Sequence, residues 1–293
     1  MQSLAGELHQ IPEWRKSLDQ ALFVGADALP GNEQTQGFGG ADGGHGQRRQ
    51  QTIIKGFTLI EVVVVVGIIA LLLSLTFPAL GTIRLSALNT KDLSQIRQMG
   101  LAHRVYQQVH SDAFVDVGLP HGGYGDRARS FTETLESYSG EAIMRSPLDT
   151  SPHWEAGVQE EGAEAPVVRR TSYGMNNYLS RNYSPMVALE GPGAATDRMT
   201  RISQPDKVVC FLHMTQFGAY AVSDHPHIES WSFGPEPWRL ASNQMAISAS
   251  EGEININDLA KSNYGLLDGS TDTKTFREVY ENVQFNAFDQ SGK

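Results

Sequence analysis

From Phe57 to Leu80 the chain runs 24 residues with a single charge, Glu61. A helix of that length is about 36 Å long, enough to cross a hydrocarbon core of about 30 Å. A secretory signal peptide has a shorter apolar run followed by a small-residue cleavage site. Here the run is too long and no A-x-A pattern follows it. Val62 to Val66 are β-branched and poor helix formers in water, but in a bilayer every backbone group must be satisfied internally and the helix becomes obligatory. Beyond Pro78 the pattern turns amphipathic. Leu85, Leu88, Ile96, Met99, Ala102, Tyr106 and Val109 can share one face, with Arg84, Lys91, Arg97 and Arg104 largely elsewhere. The spacing predicts one long helix over 57–110: an apolar, membrane-spanning half at 57–80 and an amphipathic half at 81–110 packed on a globular head at 111–293. Gly67 and Pro78 are the places where it can soften or kink.

The head reads as short elements and loops. Ser130 is placed as the N-cap of a short helix in SFTETLESYSG, with Glu133 three residues on for a capping box. SPLDTSPHWEAGVQEEGAEAP reads as an exposed loop, and RRTSYGMNNYLS as a strand followed by a turn. The apolar run Lys207–Met214 has strand length. AYAVS and IESWSF are expected as short strands around the turn SDHPH, and Asn243–Ser250 alternates weakly. NYGLLDGSTDTKTF predicts a hairpin, with Asp268-Gly269 as a two-residue turn. The tail from Arg277 shows no clear pattern.

Upstream of the apolar run, residues 1–56 read as a leader. It has weak helical periodicity at first and then the glycine- and glutamine-rich stretch GNEQTQGFGGADGGHGQRRQQ, which reads as flexible. Arg48, Arg49 and Lys55 are positive charges just before the apolar run, expected to hold the leader in the cytoplasm and place the head outside it.

Composition narrows the classes. The net charge of −10 argues against nucleic acid as a partner. A single cysteine, Cys210, excludes an internal disulfide and a cysteine metal cluster; in VVCFL it reads as a buried thiol. The nine histidines show no metal-binding spacing, and neither a G-x-S-x-G elbow nor a Walker loop is present.

Lys55-Gly56-Phe57-Thr58-Leu59-Ile60-Glu61 heads the apolar run, and this arrangement resembles the prepilin motif of type IV pilins and type II secretion pseudopilins. The resemblance covers about 25 residues closely, and Glu61 and Pro78, the fifth and twenty-second residues counted from Phe57, fit the usual pattern of the family. It implies that a prepilin peptidase cuts after Gly56 and N-methylates Phe57. It implies that Glu61 pairs with the N-terminal amine of a neighbouring subunit, an arrangement consistent with the cost of a lone carboxylate in an apolar helix. Leaders in the family are usually much shorter than 56 residues, so either this leader is long or Met1 lies upstream of the true start. NYGLLDG, TSYGMNNYL and SQPDKVVCF also resemble large pilin-like proteins ending in a D-G hairpin; the histidines usual there are replaced by Leu259 and Ser270.

The resemblance also raises calcium. Asp268, Ser270 and Asp272 put three oxygen groups on one side of a turn, where major pseudopilins hold that ion, but calcium takes six to eight oxygens and a solvated turn explains the same residues. The expected fold is α+β, a long N-terminal helix on a small antiparallel sheet. The expected role is a non-enzymatic filament subunit in the bacterial inner membrane, working with other pilin or pseudopilin subunits and an inner-membrane assembly platform. A single cysteine speaks against a type IV pilin with a C-terminal disulfide loop. The rival is a membrane-anchored extracytoplasmic binding module or enzyme, which a convergent His/acid cleft in the head would favour.

Overall fold

The computed structural model describes residues 56–119, 130–139, 143–159, 165–252 and 254–289. The leader to residue 55, with its cytoplasmic assignment, lies outside them, as do residues 120–129. The chain divides into two compact units, residues 1–57 and 58–293, and the architecture below is that of the second.

One helix dominates. α1, Leu59–Val109, is 51 residues long and runs unbroken through Gly67 and Pro78. A short helix α2 (Phe131–Ser139) packs on it. Four strands follow: β1 (Tyr173–Met175), β2 (Val209–His213), β3 (Lys261–Leu266) and β4 (Thr271–Thr275). They form an antiparallel sheet in the order β1-β2-β3-β4. Among the described residues there are also three short helices: α3 (Pro185–Glu190), α4 (Pro237–Ser242) and α5 (Phe276–Val279). This is an α+β arrangement: a long apolar helix with a small antiparallel sheet.

The sheet is covered on both faces, which is why VCFLH reads as a continuous apolar run and not as an alternation. One core cluster joins Ile96, Met99 and Ala102 of α1 to Tyr173, Met175, Cys210 and Phe211. The other joins Val209, Leu212, Tyr264 and Leu266 to Trp231, Phe276 and Phe288. The register of β2 slips between Val209 and Phe211, which pair with the adjacent Leu266 and Gly265. The extra residue is a β-bulge, and it lets Cys210 and Phe211 both join the cluster under α1.

Several sequence expectations need correction. AYAVS and IESWSF are 3-10 turns at Ala219–Val222 and Ile228–Phe233, not strands. Trp231, inside the second, is fully buried, so the segment serves as a lid on the sheet. Asn243–Ser250 contributes only the isolated bridge Met214–Met245 and leads into a 3-10 turn at Ala249–Glu251. The β3–β4 loop has three residues, not two: Gly269 N–H donates to Leu266 O at 2.9 Å, Leu266 N–H donates to Ser270 O at 2.8 Å, and Gly269 is left-handed at φ +85°. Val109 is exposed, and the last turn of α1 buries Gln107 instead. The tail is packed, with Ala287 O accepting from Val209 N–H and Phe288 fully buried.

Candidate membrane and assembly segment

The first half of α1 makes no core. Every residue from Leu59 to Phe77 is exposed, and the helix is apolar enough to cross a membrane by length and composition. Gly56 and Phe57 lie outside any helix or strand, and Phe57 is 85% exposed. Thr58 is the N-cap. Its Oγ1 accepts from Glu61 N–H at 3.3 Å, while Glu61 Oε2 accepts from Thr58 N–H and from Thr58 Oγ1, each at 2.8 Å. This capping box satisfies two of the backbone donors that every helix start leaves open. It also gives the only acid of the apolar run local partners and sets it against the positive end of the helix dipole. Sequence reasoning placed Thr58 in the motif but missed it as a cap, although T-x-x-E before an apolar run is the signature of this cap. Pro78 lies within the helix, 21 residues beyond Phe57 and 17 beyond Glu61, so helical geometry does not bring it to them.

The second half of α1 is fastened to the sheet by polar groups. Asp92 is fully buried, flanked on the apolar face by Leu88 and Ile96. Its Oδ2 lies 2.8 Å from His213 Nε2 on β2 and accepts from Asn263 Nδ2 on β3 at 2.8 Å; Oδ1 accepts from Tyr173 OH on β1 at 2.7 Å and from Ser146 Oγ. Burial raises its pKa, but the His213 charge and the hydrogen bonds from His213, Ser146 and Asn263 outweigh that and hold it down to about 2. Higher on α1, Arg104 Nη1 donates to Asp268 O at 2.6 Å, and Gly100 meets Gly269 so closely that a Cβ there would lie 3.2 Å from the Gly269 Cα.

A second buried pair, Arg169 and Asp149 at 2.7 Å, ties the 143–159 segment to the sheet. Burial opposes the Asp149 charge; Arg169 and hydrogen bonds from Ser172 and Ser151 prevail and lower its pKa. Asp224 accepts from Gly118 N–H and Ser130 Oγ and pairs with His225 Nδ1 at 2.8 Å, all buried. Ser130 Oγ also accepts from Thr132 N–H at 3.3 Å, so Ser130 does cap α2, while Glu133 reaches Arg170 at 3.7 Å. Cys210 Sγ sits 3.5 Å from His103 Nδ1. Burial pushes the thiol far up and the imidazole down to about 3, so both are neutral in the folded head.

The residues considered for calcium are already engaged. Asp268 Oδ1 accepts from Ser270 N–H at 2.9 Å and Ser270 Oγ at 2.6 Å, and Asp272 pairs with Lys274 at 2.8 Å. Among the described residues no three His, Cys, Asp or Glu side chains form a group suited to a metal ion.

No curated protein and no solved structure matches the chain. Residues 54–77 match the family of the prokaryotic N-terminal methylation motif. The chain therefore carries the prepilin motif of type IV pilins and pseudopilins at the head of an apolar, exposed helix.

Proposed function

We propose that this protein is a structural subunit of a pseudopilus of the type II secretion class or of a related type IV pilus-like filament. A prepilin peptidase cuts after Gly56 and N-methylates Phe57. The mature chain sits in the bacterial inner membrane through the first half of α1, with the head outside the cytoplasm. Arg48, Arg49 and Lys55, just before the apolar run, support that orientation. The partners are further copies, other pilin-type subunits and an inner-membrane assembly platform.

The observation that carries this reading is the pairing of the methylation motif with an exposed apolar helix whose continuation is locked to the head. Force applied along α1 is passed to the head through the Asp92 network and the buried face around Ile96. Cleavage creates a positive amine at Phe57, one turn from Glu61. An acid in a low-dielectric setting is worth more to that amine than in water, so Glu61 of a neighbour is the natural partner and sets axial register. The role is mechanical and not catalytic: the fully buried carboxylates of Asp92 and Asp224 are paired with His213 and His225.

Intact-mass spectrometry of the membrane-extracted protein tests the reading. The expected mass is that of the chain beginning at N-methylated Phe57. An intact Met1 terminus in cells with an active peptidase overturns it.

A further inference from the structure

The second half of α1 packs on one face of the sheet and leaves its other side free. Ile96, Met99 and Ala102 join the core, while Leu101 and Val105 stand 53% and 48% exposed. Four residues apart, these two lie on one helical face. Arg97 and Arg104, four residues before Leu101 and three after it, flank the pair and are exposed. Residues 81–110 hold four Lys and Arg and one acid, Asp92, which is buried. The free side of the helix is therefore an apolar centre with a basic rim, the make-up of a protein interface.

A counterpart stands on the opposite layer. Tyr280 and Phe288 pack on Trp231 in the core cluster across the sheet from α1. Between them the chain closes a loop on itself. Glu281 N–H and Asn282 N–H donate to Phe285 O at 3.0 and 3.2 Å. Asn282 Oδ1 accepts from Gln284 N–H and Phe285 N–H at 2.9 and 3.0 Å, and Asn286 Nδ2 donates to Val283 O at 2.7 Å. These bonds shape a knob that displays Val283 at 51% and Phe285 at 65% exposure. The knob is shaped before any partner arrives, so little ordering cost remains on docking. Residues 278–289 contain Glu278, Glu281 and Asp289 and no Lys or Arg. The knob is thus apolar and aromatic with an acidic flank.

We infer that the 281–285 knob of one copy seats on the Leu101 and Val105 face of α1 in a second copy, with Glu281 against the basic rim of Arg97 and Arg104. The occupant is a second copy because the two surfaces complement each other in charge and both belong to this chain. Residues 111–293 carry 25 Asp and Glu against 14 Lys and Arg, whereas the free side of the helix carries basic charge alone. The two surfaces lie on opposite sides of the sheet, so one copy does not fill its own face. The contact is heterologous: each added copy brings a new knob and a new face, and growth continues as a fibre unless the rotation closes a ring. This inference rests on the filament reading and supplies a contact between heads, and the experiment separates the two.

Two differently tagged copies of the full chain are expressed together in cells with an active prepilin peptidase, one with Val105→Cys and one with Phe285→Cys. Membranes are oxidised with copper phenanthroline, and the buried Cys210 is the silent background. The expected product is a disulfide-linked dimer carrying both tags, and a ladder of higher oligomers when both cysteines are placed in one chain. Glu281→Arg should abolish the link by setting like charges together, and adding Arg97→Glu should restore it. All four positions are exposed, so the fold is left intact. Leu72→Cys in both copies reports packing of the apolar halves. If Leu72→Cys links and the Val105→Cys and Phe285→Cys pair does not, the knob inference is overturned and the filament reading stands. If neither links, the filament reading fails and the knob inference falls with it. A Phe285→Cys link formed only to a different protein, or Val105→Cys linking only to itself, overturns the knob inference as well.

Discussion

Asp92 of α1 and His213 of β2 meet at 2.8 Å in the helix–sheet interface, both buried, and the carboxylate also bonds β1 and β3. One side chain of the helix thus holds three of the four strands. Its pKa is depressed from 3.8 to about 2, so its contribution is fully present above the unfolded value near 4 and lost as pH falls through 2. By linkage that depression is worth about 2 kcal/mol at neutral pH. Chemical denaturation of the full chain should show stability falling between about pH 4 and 2. Asp92→Ala should cost about 3–5 kcal/mol at pH 7, since it takes a buried charged partner from His213, Asn263 and Tyr173. A loss under about 1 kcal/mol would show that the network is not a fastening.

Gly265 of β3 lies against Ile96 of α1. A Cβ there would lie 2.6 Å from Ile96 Cγ2 and 3.3 Å from Phe211 Cβ. Gly265→Ala should therefore destabilise the protein by about 1–3 kcal/mol, the ordinary cost of overpacking. Combining it with Ile96→Ala should restore part of the loss, giving a coupling energy of about 0.5–3 kcal/mol in urea melts. Additive effects would place the clash elsewhere.

Thr58 and Glu61 allow capping to be separated from assembly. Thr58→Val removes the cap oxygen and keeps the acid; a lost N-cap costs about 1 kcal/mol of helix stability. Glu61→Ala removes the acid, so membrane insertion should survive or improve. The expected pattern is normal cleavage and membrane level for both, with cross-linked oligomers lost only in Glu61→Ala. Equal loss in both variants would mean that the cap, and not the charge, governs assembly.

Calcium at Asp268, Ser270 and Asp272 is decided by thermal melts of the full chain in EDTA and in calcium. An ion that binds only the folded state raises Tm by mass action. With both carboxylates engaged locally, an unchanged Tm is expected, and Asp268→Ala should lower Tm in either buffer by loosening the Ser270 turn. A calcium-dependent rise that disappears in Asp272→Ala would establish the site.

Cys210 is buried beside His103, and burial disfavours its thiolate. A thiol reagent should leave it unmodified in the native head and react on unfolding, because the thiolate is the reactive species. Rapid native labelling would mean that the β2 bulge opens.

The sequence alone determined what depends on local and periodic information. The apolar run, the break to an amphipathic pattern after Pro78, Lys207–Met214 as a strand and the D-G hairpin were all readable, because each is set by side chains at fixed spacing within one element. The T-x-x-E cap at Thr58 was readable too. Tertiary structure decided the rest. Asp92 stands at a core position by spacing, but its partners His213, Asn263 and Tyr173 come from three distant segments that no periodicity links. AYAVS and IESWSF have the composition of strands, yet they fold as 3-10 turns, and Trp231 of the second covers the four-stranded sheet. The Asn89–Ser250 contact, between residues 161 apart in the chain, is likewise set only by the fold.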